Sequence, residues 1–135
     1  MKTLYIKPTL NAPEVDFNVD TLEFKIEGQS ILTEVQDFYS PIISWLDKYA
    51  ENPPKNLVFK FALNYYNLAS AKRFMFIIFL LSKMRMKGCM VQIEWKFFKD
   101  DEFMKEFGED LSENFDVPLT MVPSKNYIPS VQLAS

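Results

Sequence analysis

Leu57-Val58-Phe59-Lys60-Phe61-Ala62-Leu63-Asn64-Tyr65-Tyr66-Asn67-Leu68-Ala69-Ser70-Ala71-Lys72-Arg73 decides the fold. Leu57, Phe59, Phe61 and Leu63 alternate with Val58, Lys60 and Ala62, the period of two that marks a pleated strand. From Leu68 the apolar spacing becomes helical, and Phe74, Ile77, Ile78, Leu81 and Met84 form one stripe. Residues 64–67 read as the turn between strand and helix. Asn67 is suited to be the helix N-cap, because its side-chain oxygen can accept a first-turn amide proton. Ser70 then falls near the third helical position, where free amides and the helix dipole favour an anion.

Working outward, Gly88 supplies a helix stop. Cys89, Val91, Ile93, Trp95 and Phe97 then alternate with polar residues. Strand, helix and strand with short joints make a βαβ unit, so the two strands are expected to be parallel. Upstream, Val15 and Phe17, then Leu22, Phe24 and Ile26, predict a hairpin behind a short first strand near Thr3. A first helix is expected after Gly28, opened by a Thr33-x-x-Gln36 capping box and carrying Val35, Phe38, Tyr39, Ile42, Leu46 and Tyr49 inward. Pro41 predicts a kink in it, or a start near Ser40. Phe103, Phe107 and Leu111 predict a third helix, and residues 118–122 a final edge strand. The fold class expected is α/β: a mixed sheet with an N-terminal hairpin, a central parallel βαβ unit and helices mainly on one face. A ferredoxin-like sandwich is disfavoured, because a hairpin precedes any helix.

The segment Asn67-Leu68-Ala69-Ser70-Ala71-Lys72 resembles the Asn-Thr-(Ser/Ala)-Ser-x-(Lys/Arg) segment of the SiaC family of bacterial regulatory phosphoproteins, STAS-like relatives of the anti-sigma-factor antagonists (SpoIIAA-like). Pro8-Thr9, Pro13-Glu14-Val15-Asp16-Phe17, Trp45-Leu46-Asp47-Lys48-Tyr49, Ile93-Glu94-Trp95, Gly108-Glu109-Asp110 and Val117-Pro118 fall in the family's order. The resemblance implies a non-catalytic module of a partner-switching signalling system. In it a dedicated kinase and phosphatase add and remove a phosphate at the helix start, and the unmodified form binds a partner, in one branch a diguanylate cyclase. One departure sits at the centre: the phosphoacceptor Thr of the family is Leu68 here, and leucine has no hydroxyl.

A chain of 135 residues is one domain by size, expected over residues 1–122, with a loosely ordered tail over 123–135. A net charge of −3 argues against a nucleic-acid partner, which needs a clustered basic face. One cysteine, Cys89, permits no internal disulfide and suits a reducing cytoplasm. No signal-peptide pattern opens the chain, and a cytoplasmic location is expected. The longest apolar run, residues 74–81, falls far short of the ~20 residues that span a bilayer, so no membrane insertion is expected.

The chain has no histidine and three glycines, which removes imidazole bases, imidazole metal sites and the glycine-rich phosphate loops. Neither an enzyme nor a metal or cofactor site is expected. The acidic run Asp100-Asp101-Glu102 reads as a solvated helix start. What remains is surface. Tyr65, Tyr66, Asn67, Lys72, Phe76 and Phe79 are the expected partner-binding residues, with aromatic anchors and a steering cation. Ser70 is the first hydroxyl after the cap and the only candidate phosphosite on the turn, yet its place next to Phe74 predicts poor access. Constitutive binding without phosphorylation is therefore expected. The alternative is a structural or assembly homodimer through the same helix, its phosphoregulation lost.

Overall fold

The computed structural model describes residues 1–115 and 117–128. Nine elements follow in order: β1 (Leu4–Ile6), β2 (Glu14–Asn18), β3 (Glu23–Ser30), α1 (Val35–Tyr49), β4 (Asn56–Tyr66), α2 (Leu68–Met86), β5 (Met90–Phe98), α3 (Glu102–Phe115) and β6 (Leu119–Ser124). The strands form one six-stranded sheet in chain order, β1-β2-β3-β4-β5-β6. The first two pairings are antiparallel and the last three parallel. A β–α–β crossover of one hand that always steps in the same direction leaves its helix on the same face. Three such steps put α1, α2 and α3 together on one side.

Register explains the core. Phe17, Phe24, Phe59, Ile93 and Leu119 lie side by side across the sheet, and so do Val15, Ile26, Phe61, Trp95 and Met121. These rows face the helices. Trp45 and Tyr49 of α1 meet Phe24, Phe74 of α2 meets Phe61, and Phe107 of α3 meets Trp95. Gly108 lets α3 approach closely, for a Cβ there would lie 2.5 Å from the Trp95 ring. The indole Nε1 donates to the Met104 carbonyl at 2.9 Å. The opposite face of the sheet is charged: Asp16, Lys25, Lys60 and Glu94 align across it. Lys25 bridges Glu14 (2.8 Å) and Glu27 (3.6 Å), and its ammonium holds the Glu14 carboxyl below the usual carboxylate range.

Several expectations need correction. β3 runs through Gly28 to Ser30, so the first helix does not follow that glycine directly. α1 opens at Val35 with Glu34 as N-cap and no side-chain capping bond, so Thr33 and Gln36 form no capping box. Pro41 lies inside α1, which neither starts near Ser40 nor breaks there. Phe103 points outward, and Met104, Gly108 and Leu111 make the inner face of α3. The acidic run does open that helix: Asp101 Oδ1 accepts the Met104 amide at 3.0 Å. Residues 123–128 are not loose, since β6 extends to Ser124 and Ile128 is buried. The rest of the expected tail, 129–135, lies outside the described residues.

Candidate functional site

The strand does not stop at Leu63. Leu63 lies opposite Gly28 and Tyr65 opposite Gln29, which leaves Asn64 as an extra residue, a β-bulge in β4. Gly28 meets this irregularity with φ +124°, a backbone state that side-chain-bearing residues avoid. β4 resumes through Tyr66, and Asn67 alone joins it to α2. Asn67 makes three ties: its Oδ1 accepts the Ser70 amide (2.9 Å), its Nδ2 donates to the Leu32 carbonyl (2.9 Å), and its own amide donates to the Ser30 carbonyl (3.0 Å). The start of α2 is thereby stitched to the end of β3 and the segment before α1.

Ser70 lies beneath this turn. Its Oγ donates to the Ser30 carbonyl (3.0 Å) and accepts from Ser30 Oγ (2.8 Å). Ser30 has a single hydroxyl proton, so the 2.6 Å contact with Tyr39 has the phenol as donor. Protons thus run one way from Tyr39 to Ser30 to Ser70 to the backbone, and all three side chains are fully buried. Burial pushes the Tyr39 phenol far above its ordinary 10. Ser70 is thus shut off from the surface, with its hydroxyl engaged as both donor and acceptor.

Two positions earlier the situation reverses. Leu68, the first residue of α2, is 75% exposed. It starts an outward stripe with Lys72, Met75, Phe76 and Phe79, in which Phe76 and Phe79 are 49% and 45% exposed. Neither α3 nor residues 125–128 cover these rings. Phe76 separates two grooves. One of about 300 Å³ lies towards α3, with Lys72, Met75, Phe79 and Phe115. The other, about 320 Å³, lies towards α1, with Gln36, Ser40, Ile43 and Arg73. α2 carries Lys72, Arg73, Lys83 and Arg85 and no carboxylate, although the chain is acidic overall.

The six expected partner-binding residues do not form one patch. Lys72, Phe76 and Phe79 do share the outward stripe. Tyr65, exposed, lines a third groove of about 260 Å³ with Asn64, Tyr66, Asp101, Phe103 and Met104. Tyr66 is half-buried, its ring against Phe74 and Phe107, and its hydroxyl finds no partner among the described residues. Loss of water, with a smaller push from Asp101, raises that phenol to about 12. Asn67 is spent on the three ties. Sequence reading missed Leu68 and Met75 as surface and the half-buried Phe115 as a groove wall. The spacing 68, 72, 75, 79 was the available signal, because positions three and four apart share a helix face. Among the described residues no cluster of metal-ligating side chains occurs, and no helix is long and apolar enough to cross a membrane.

A family model described as "SiaC family regulatory phosphoprotein" matches residues 6–124. The chain belongs to the SiaC family. Membership makes it a regulatory protein rather than an enzyme, and fits a module that acts through protein contacts. Two solved structures of SiaC from Pseudomonas aeruginosa share its fold at 21% identity. One, apo-SiaC, has a TM-score of 0.79, with 90% of this chain and 99% of that one covered; for the other the values are 0.83, 92% and 100%. A third, at 21% identity and TM-score 0.82, covering 90% of this chain and 99% of that one, is a crystal structure of the diguanylate cyclase SiaD in complex with its activator SiaC, also from Pseudomonas aeruginosa. No curated protein matches the chain by sequence.

Proposed function

We propose that this SiaC-family chain is a protein-docking module of a signalling system, that it binds through the outward face of α2, and that it does so without a phosphoswitch on the α2 turn. One observation carries the reading. The exposed first position of α2 is Leu68, whereas the nearest hydroxyl, Ser70, is sealed beneath it. At Leu68 a hydroxyl would meet solvent, the free first-turn amides and Lys72 one turn away, a good setting for a phosphate. With leucine there, the same position extends the apolar stripe of Met75, Phe76 and Phe79.

The partner proposed is a diguanylate cyclase, by kinship with the SiaC–SiaD complex. A kinase and phosphatase pair acting on this turn has no accessible acceptor. The homodimer alternative is less favoured, since stacking α2 on its own copy sets cations against cations. The test is affinity isolation of the tagged chain from its native cell, with phosphosite mass spectrometry on the same sample. A cyclase is expected in the eluate, lost on Phe76→Asp with Phe79→Asp, and Ser70 is expected unmodified. Stoichiometric phosphate on Ser70, or undiminished capture by the double variant, would overturn the reading.

A further inference from the structure

Beside the β4 bulge the chain docks its own residues 125–128. Asn64, pushed out of the ladder by the bulge, is buried there. Its Oδ1 accepts the Ile128 amide at 2.8 Å and its Nδ2 donates to the Ile128 carbonyl at 2.5 Å. The side-chain amide thus stands in for a strand partner and reads backbone, not side chain. Tyr127 stacks on Phe98 with ring centroids 4.5 Å apart, and Ile128 is 3% exposed. Ser124 turns the chain back: its carbonyl accepts the Lys99 amide (2.8 Å) and its Oγ donates to the Asn126 carbonyl (2.8 Å). The family match ends at residue 124, so residues 125–128 lie beyond the matched stretch.

We propose that residues 125–128 are a latch, which binds in cis at the Asn64 slot and, through the bulge, holds Tyr65, Tyr66 and Asn67 in the geometry that starts α2. Asn64 and Asn67 are three residues apart, at the end of β4 and the cap of α2. The former is fixed by the latch, and the latter carries the three ties to Ser30, Leu32 and Ser70. Two hydrogen bonds, one surface stack and one buried isoleucine are opposed by the entropy of ordering four residues, terms of similar size. The latch therefore opens and closes locally while the sheet stays intact. Opening it loosens the turn beneath the exposed stripe and so tunes the docking face. The slot accepts an extended segment with an aromatic residue directly before an aliphatic one, as in Tyr127-Ile128.

The meaning of the latch rests on the docking reading, but its test needs no partner. Amide hydrogen exchange is measured on the full chain and on Tyr127→Ala, Tyr127→Phe and Asn64→Ala. In Tyr127→Ala and Asn64→Ala the Ile128, Asn67 and Ser70 amides are expected to exchange at least about tenfold faster, with Ile93 and Trp95 unchanged. Tyr127→Phe keeps the stack and is expected to exchange like the native chain. Fast exchange at Ile128 with Asn67 and Ser70 still protected would overturn the coupling. Loss of protection throughout both destabilising variants would make these residues ordinary core and overturn the latch.

Discussion

The two faces of α2 are almost equally apolar and have opposite fates. Inward, Phe74, Ile77, Ile78, Leu81 and Met84 are fully buried against the sheet and the neighbouring helices. Outward, Leu68, Met75, Phe76 and Phe79 stand in solvent. Composition cannot distinguish them; only the neighbours do. The inward residues fill spaces set by Phe61, Tyr39 and Tyr66, whereas the outward rings of Phe76 and Phe79 touch each other and Lys83 and otherwise face the shallow grooves beside α1 and α3. An apolar face that the fold does not use is available for a second molecule.

The contrast is sharpest in a pair of core and surface variants. Phe74→Ala is expected to cost about 3–5 kcal/mol by urea unfolding, as for a large ring removed from a packed core. Phe76→Asp with Phe79→Asp is expected to stay within about 1 kcal/mol, because exposed substitutions seldom change stability by more. Similar losses in the two would erase the distinction between the faces. Next in size, Ser70→Ala leaves the Ser30 hydroxyl without its acceptor and takes one of two donors from the Ser30 carbonyl, the Asn67 amide remaining, a cost of about 1–3 kcal/mol in the same measurement. An Asn67→Ala change removes the cap on the Ser70 amide and is expected to cost about 1 kcal/mol.

Alkaline titration probes the inner side of the comparison. Tyr39 and Tyr66 hold their protons more tightly folded than unfolded, where the ordinary phenol value is 10. Above that value the unfolded chain releases protons that the native state keeps, so stability falls as pH rises, with the Tyr66 contribution fully lost once pH passes about 12. Below 10 both contributions are fully present. Chemical denaturation from neutral to strongly alkaline pH reads the slope, which is expected to be shallower in Tyr39→Phe. A slope unchanged by that variant would mean that Tyr39 titrates normally. The smallest stability effect, and the largest change in chemistry, belongs to Leu68→Thr. Stability is expected within about 0.5 kcal/mol of the parent. Co-expression with a kinase of the family is expected to add one phosphate at the introduced threonine and none at Ser70, read by intact-mass and peptide spectrometry.

Much of this architecture was legible because it is local and periodic. The alternation at 57–63 and 89–97, the N-terminal hairpin, the inward stripe of α2, the Asn67 cap and the burial of Ser70 all follow from spacing within about twenty residues. What stayed hidden depends on partners far along the chain. Ser70 meets Ser30, Asn67 meets Leu32, and Asn64 meets Ile128, contacts across 40, 35 and 64 positions. The stretch 64–66 read as a turn because a polar residue interrupts the alternation, and the bulge that absorbs it needs the opposite strand to be recognised. Phe103 kept the four-residue spacing of a core helix, yet Gly108 lets Trp95 occupy the inner side and the helix is rotated so that Met104, not Phe103, lies beneath.

The strand order has a consequence for how the molecule is made. Every strand hydrogen-bonds to the one synthesised just before it, so no strand waits for a later segment to be inserted beside it. A chain leaving the ribosome at about 5–20 residues per second can add each strand to a growing edge, with each helix closing over the strands already laid down. The exposed edge of the nascent sheet moves with synthesis and is never an internal gap, which limits the time in which a foreign strand could pair there.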